Sequence, residues 1–344
     1  MDYWKAYRTL RHARELVRGS PESGYEQLPT YLYMIKRANP GTFTQLDVDE
    51  AQRFKYCFLA FGASIQGFPF LRKVVVVDGT FLQGKYLGTL LTATAQDGNF
   101  QIFPIAFAVV DTENDESWEC FFKQLSCVIP DDESLSIISD RHKSIGKAIK
   151  KVYPKSSRGI CTYHMYKNIL VRFKGRAEFA LVKKAANAFR LINFQTTFDQ
   201  IEAMNPTLHE YLVYISQVIG TTLLTSNIAE SMNKVMSHDR RFPIVQLLEE
   251  IRSMMTRWFS DRRTDALKMT TDLTRGVEKI LQFDLEKLPC AHAIVAGEFR
   301  NISRISMSHP YYRKHYIHAS YENAIMPREL DKSVPGHVIT KNSF

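Results

Sequence analysis

The sequence predicts an α/β fold in which a mixed sheet of order β-β-β-α-β-α-β is followed by a long helical stretch. Three observations carry this. Near residue 73 the texture changes to three apolar, β-branched runs separated by short polar turns. Amphipathic helices then alternate with short buried strands, which is how a sheet acquires parallel returns. After that come roughly sixty residues with helical periodicity before the next distinctive motif.

Residues 1–72 read as a helical N-terminal region, broken by Pro and Gly at "RGSPESG" and "RANPGT". "KVVVVDGTFL", "YLGTLLTATAQDG" and "FQIFPIAFAVVD" are the three strand runs, and tight turns between them make an antiparallel meander. Two Asp-Gly pairs, Asp78-Gly79 and Asp97-Gly98, fall in this region, and each is a strong short hairpin signal. On propensity alone Asp78 is a turn residue. "DESWECFFKQLSCVI" is a helix, with Trp118, Phe121, Phe122 and Leu125 spaced i, i+3, i+4, i+7. "SLSIISDR" is a short buried strand, "SIGKAIKKVYP" a helix ended by Pro154, and "RGICTY" a further strand. In "LLTSNIAESMNKVM", Asn227 as N-cap with Glu230 three residues later has capping-box-like spacing. "PIVQLLEEIRSMMTRWF" carries a core stripe from Ile244 to Phe259.

Composition excludes several classes. The 344 residues are 45% hydrophobic and 24% charged, an ordinary globular balance for two or three domains or one core with large insertions. The longest apolar run, "IFPIAFAVV", contains Pro104 and falls well short of the ~20 residues a membrane span needs. The charged start "MDYWKAYRTLRHAREL" has no apolar segment of the secretory type, and five scattered cysteines suit a reducing compartment. The net charge of +9 is uneven: residues 73–160 are near neutral and their surroundings basic. "YKNILVRFKGRAEFALVKKAANAFR" holds seven Lys/Arg against one Glu, which fits either a solvated helix face or a polyanion partner such as DNA.

The element order has a chemical consequence. A right-handed crossover returns the strand holding Asp140 parallel to the one holding Asp78. Side by side, strands about 4.8 Å apart would project both carboxylates from one sheet edge. Two acids that close repel unless a cation lies between them, the arrangement that two-metal phosphoryl transfer requires. A third ligand should come from a later helix, and Glu230 is placed for it. The acids of "DTENDE" at 111–116 read as a solvated loop before a helix.

Four motifs in order, "DGTFLQGKYLGTLLTATAQDGNFQIFPIAFAVVDTENDESW", "IISDRHKSI", "CTYHMYKN" and "TSNIAESMNKV…RRFPIVQLLEEIR", resemble the catalytic domain of Mutator-like element (MULE) transposases, a plant-rich family. The resemblance runs from about residue 5 to about residue 325. It implies an RNase H-like core at 73–164, a helical insertion at 165–225, closing helices at 226–260 and a C-terminal region at 261–344. It further implies an Asp-Asp-Glu triad of Asp78, Asp140 and Glu230 holding Mg²⁺ or Mn²⁺, DNA as partner, a nuclear location and compatibility with homo-oligomers.

Cys161 and His164 match a Cys-x-x-His element of the family. Two ligands are half a tetrahedral zinc site, so a packed thiol and a hydrogen-bonded imidazole fit them equally. Cys290 and His292 in "PCAHA" resemble the second half of a SWIM zinc finger whose first half is absent. Zinc is therefore not expected there unless Cys161 and His164 fold beside it. Two function classes are compatible with these motifs: a DDE transposase, active or silenced by truncation, and a domesticated, non-catalytic DNA-binding regulator resembling the far-red-response family of plant transcription regulators.

Overall fold

A computed structural model describes residues 9, 21–85, 87–173, 176–186, 191–219, 223–224, 228–277, 306 and 308–327. Helix α1 (Pro21–Ala38) leads into β1 (Phe43–Val48), β2 (Phe54–Ala60) and the short α2 (Gly62–Gly67). The meander comes next as β3 (Val74–Phe81), β4 (Thr89–Gln96) and β5 (Ile102–Val110). Then α3 (Asp115–Val128), β6 (Ser136–Ser139), α4 (Lys143–Val152) and β7 (Ser157–Cys161) complete the expected β-β-β-α-β-α-β order. Four helices come after it: α5 (Thr162–Phe173), α6 (Arg176–Ala186), α7 (Leu191–Met204) and α8 (Pro206–Ile219). A two-residue strand β8 (Leu223–Leu224) precedes α9 (Ile228–Val235), α10 (Ile244–Leu267) and α11 (Lys314–Ser320).

All strands share one sheet, in the order β1-β2-β5-β4-β3-β6-β7-β8. It is antiparallel from β1 to β3 and parallel from β3 through β6 and β7 to β8. This mixed α/β architecture is compatible with an RNase H-like fold. In β5, Pro104 cannot donate to the ladder, and the register with β4 slips opposite it, between Ala93 and Thr94.

Residues 43–60 correct the sequence reading, which predicts helix throughout the N-terminal region. They form the β1–β2 hairpin, and β2 pairs with β5 to extend the sheet. The run "YCFLAF" is buried on both faces and so shows no alternation. A short apolar run of that kind cannot be told from buried helix by periodicity. The turn is fixed locally by Asp49, whose Oδ1 accepts from the backbone N–H groups of Ala51 and Arg53, each at 2.9 Å.

The sheet separates two packed faces. On one, Val75 and Val77 of β3 join a large core with Trp118, Phe121 and Phe122 of α3 and the stripe of α10. Truncating a buried Trp of this kind to Ala costs about 3–5 kcal/mol. On the other face, Val76 packs with Ile138, Cys161 and Ala229. Helices α5 to α8 bury a core of their own, including Met165, Ile169, Val182, Ile201 and Leu208. No helix among the described residues is long and apolar enough to cross a membrane.

Candidate active site

Strands β3 and β6 pair in parallel with Val74 opposite Ser136, Val75 opposite Ile137 and Val76 opposite Ile138. Continued two residues further, that register would set Asp78 level with Asp140, which lies just past the end of β6. Adjacent strands lie about 4.8 Å apart. Asp78 is not in a turn: it pairs with Thr92 inside β3, and the ladder continues through Gly79 and Thr80 to Phe81. The hairpin reading of this Asp-Gly is therefore corrected.

Asp140 follows the last residue of β6, and since alternate residues of a strand share a face, Asp78 projects on the side of Val76. Helix α9 covers that side. Its first residues, Ile228 and Ala229, pack on Val76, Ile138 and Cys161. One turn on, Asn233 Nδ2 donates to Asp78 Oδ2 at 2.8 Å. Glu230 falls between these contacts, three residues before Asn233 and on the same helical face. Its side chain is exposed.

Each acid is held by its own backbone. Asp78 is 6% exposed, and its Oδ1 accepts from the Gly79 N–H at 3.0 Å. Asp140 Oδ1 accepts from the His142 N–H at 2.8 Å, an Asx-type turn leading into α4. The Asp140 carbonyl accepts from Ser139 Oγ at 2.8 Å and from the Arg158 guanidinium at 3.2 Å. Burial lowers the pKa of Arg158, and the charge of Asp140 opposes that shift. Gly146 of α4 leaves room for this guanidinium, since a Cβ there would push the Arg158 side chain aside.

A hard divalent cation is the test of this edge, since Mg²⁺ and Mn²⁺ take oxygen ligands. Asn233 Oδ1 is buried and has no hydrogen-bond partner among the described residues. An orphaned buried carbonyl oxygen costs about 1–3 kcal/mol unless a donor or cation reaches it. Two neighbouring carboxylates, together with the orphaned oxygen of an amide whose nitrogen donates to one of them, are hard oxygen donors of the kind such a cation takes. Among the described residues, however, no group of three His, Cys, Asp or Glu side chains is close enough to hold a metal. Glu230 thus lies on the right face, outside any such group.

Of the other candidates, Cys161 ends β7, buried against Val76, Ile138 and Ala229. His164 lies on α5. Cys290 and His292 lie outside the described residues. In the basic stretch, Lys167, Arg172, Lys183 and Lys184 are exposed on α5 and α6. The acids of "DTENDE" are structural. Asn114 caps α3 by accepting from the Ser117 N–H, Glu113 accepts from the Trp118 indole at 3.1 Å, and Asp115 and Glu116 bond Lys147 and Lys55, each at 2.5 Å. Sequence reasoning missed Asn233 and Arg158. The i, i+3 spacing from Glu230 could have flagged Asn233; nothing local marks Arg158.

Residues 74–168 match the MULE transposase domain family. The resemblance carried by the sequence motifs is thus supported over the segment that holds Asp78 and Asp140, and Glu230 lies beyond it. Protein FAR1-RELATED SEQUENCE 6 of Arabidopsis thaliana is 23% identical over 155 residues, which are 45% of this chain. The match spans 22% of that relative's length.

Proposed function

We propose that this MULE transposase-related domain performs metal-dependent DNA cleavage and strand transfer at the Asp78–Asp140 edge. The observation that carries the reading is the parallel pairing of β3 with β6 under α9, a ladder that ends two residues before Asp78 and Asp140. Asn233 donates to the Asp78 carboxylate and so helps orient it, and its own Oδ1 is buried without a hydrogen-bond partner among the described residues. The Asx turn holds the Asp140 carboxylate against the start of α4. Glu230, one turn before Asn233 on the same face of α9, is the third acid. Mg²⁺ or Mn²⁺ bound there would polarise the scissile phosphate and activate water or a DNA 3′-hydroxyl. The basic α5 and α6 would track the DNA backbone, and a DNA substrate implies a nuclear location.

The test is supercoiled plasmid with the purified chain and Mg²⁺ or Mn²⁺. Nicking is expected, and Asp78→Asn or Asp140→Asn should lower its rate by at least about a hundredfold, since each removes a cation-holding charge. Circular dichroism should be unchanged. Nicking that survives both substitutions would sink the assignment.

A second reading is favoured by the FAR1-related match and by the exposed Glu230. On it, the fold binds DNA as a transcription regulator without cutting it. Retained DNA binding with no nicking in either metal would select this reading.

A further inference from the structure

Tyr211 of α8 is partly buried, and its ring packs on Phe173 with centroids 5.5 Å apart. Two guanidinium groups rest on it. Arg141 Cζ lies 5.1 Å from the ring centroid and Arg172 Cζ 5.0 Å. The two like charges are therefore within about 10 Å of each other, close enough to repel in a partly dry setting. Neither arginine has a carboxylate partner among the described residues. Arg141 Nε is in addition buried without a hydrogen-bond acceptor among them. Cation–π contact orients the two heads but leaves their charge uncompensated.

Arg141 directly follows Asp140, and Arg172 belongs to the helical insertion, so the stack joins the acid edge to the basic helices. Planar guanidinium groups present paired donors that match the oxygens of a phosphate. We propose that Arg141 and Arg172, held on Tyr211, clamp one backbone phosphate of a DNA strand beside Asp140. This rests on the reading of the acid edge as a DNA site. The clamp contacts a phosphate and no base edge, so it sets the path of the strand and carries no sequence preference.

Binding of a fluorescently labelled DNA duplex, followed by anisotropy in EDTA over a salt series, tests it. With Arg141→Gln and Arg172→Gln combined, affinity should fall at every salt concentration. The slope of log affinity against log salt should flatten by about 0.9, the value of one phosphate contact. Arg141→Lys with Arg172→Lys keeps both charges and should restore the slope while losing part of the affinity. Thermal melting checks that the variants fold; should the double Gln variant fail to melt cooperatively, Arg172→Gln, at an exposed position, decides alone. A Gln variant with the wild-type slope overturns the clamp, as does arginine-dependent binding of RNA but not DNA. Because no metal is present, the outcomes separate: a flattened slope without nicking counts against catalysis alone, and nicking with an unchanged slope counts against the clamp alone.

Discussion

Asp78-Gly79 and Asp97-Gly98 are the same dipeptide at the end of the same kind of apolar run, yet they have opposite fates. Asp97 makes the turn that its sequence announces. Its Oδ1 accepts from the N–H groups of Asn99 and Gln101 at 2.9 and 2.8 Å, and its carbonyl accepts from the Phe100 N–H at 2.9 Å. Asp78 stays in the ladder, and Thr80 and Phe81 continue to pair with Leu90 and Thr89. The residues just after each dipeptide make the difference: Asn99 is another turn former, whereas Thr80 and Phe81 are strand formers.

The two carboxylates also differ in surroundings. Asp97, 2% exposed, is enclosed at the end of the sheet opposite the acid edge. Tyr321 donates to its Oδ2 at 2.8 Å, and Arg262 donates to the Tyr321 hydroxyl at 2.9 Å. Thr274 and Gly276 bond to the same turn, so the C-terminal residues are docked on it. Asp78 instead accepts from the neighbouring Gly79 N–H and from Asn233 of α9. One aspartate is a structural rivet; the other is the one proposed above to hold a cation.

The comparison is tested first by removing each carboxylate. Asp97→Ala leaves two turn N–H groups and the Tyr321 hydroxyl without their acceptor and removes the charge that faces Arg262, and should cost about 3–5 kcal/mol in denaturant unfolding. Asp78→Asn should stay within about 1 kcal/mol, since it preserves shape and relieves repulsion from Asp140. Equal losses would erase the distinction.

The glycines give a smaller contrast. A Cβ on Gly98 would meet the Tyr311 carbonyl oxygen at 2.4 Å, so Gly98→Ala must displace the docked C-terminal segment and should cost about 1–3 kcal/mol. On Gly79 it would meet Leu91 Cδ2 at 3.2 Å and the Glu113 carboxyl at 3.4 Å, contacts with side-chain ends that can shift. Gly79→Ala should cost under about 1 kcal/mol by urea melting.

The smallest effect is in pH. Burial raises the Asp97 pKa against the opposing charge of Arg262 and its hydrogen bonds, so the folded state binds this proton more tightly than the unfolded chain. Its contribution is full below the unfolded carboxylate value and is lost as pH rises through the folded one. The stability of wild type relative to Asp97→Asn should therefore fall as pH rises over that window. A difference that grows instead would mean that Arg262 outweighs burial.

Much of this molecule is legible in the chain. The three β-branched runs, the Trp118–Leu125 stripe and the order of the parallel returns derive from periodicity, because burying one face of each element imposes a period of 2 or 3.6. The site is legible only in part. Asp78 and Asp140 can be singled out as acids ending apolar runs, but the hairpin signal at Asp78 is equally good until long-range pairing with Thr92 overrides it. Nothing local in "FTQLDV" and "FKYCFLA" outweighs helix, since β1 and β2 are strands by virtue of the sheet edge that β5 offers them. Nor could spacing show that Asn233 reaches Asp78, or that Arg141 and Arg172 meet on one ring. Those contacts join residues 155 positions apart in the first case and three separate elements in the second. Local sequence fixes which residues face inward, but which inward-facing groups meet depends on strand order and helix docking, and those are settled only when the whole core is packed at once.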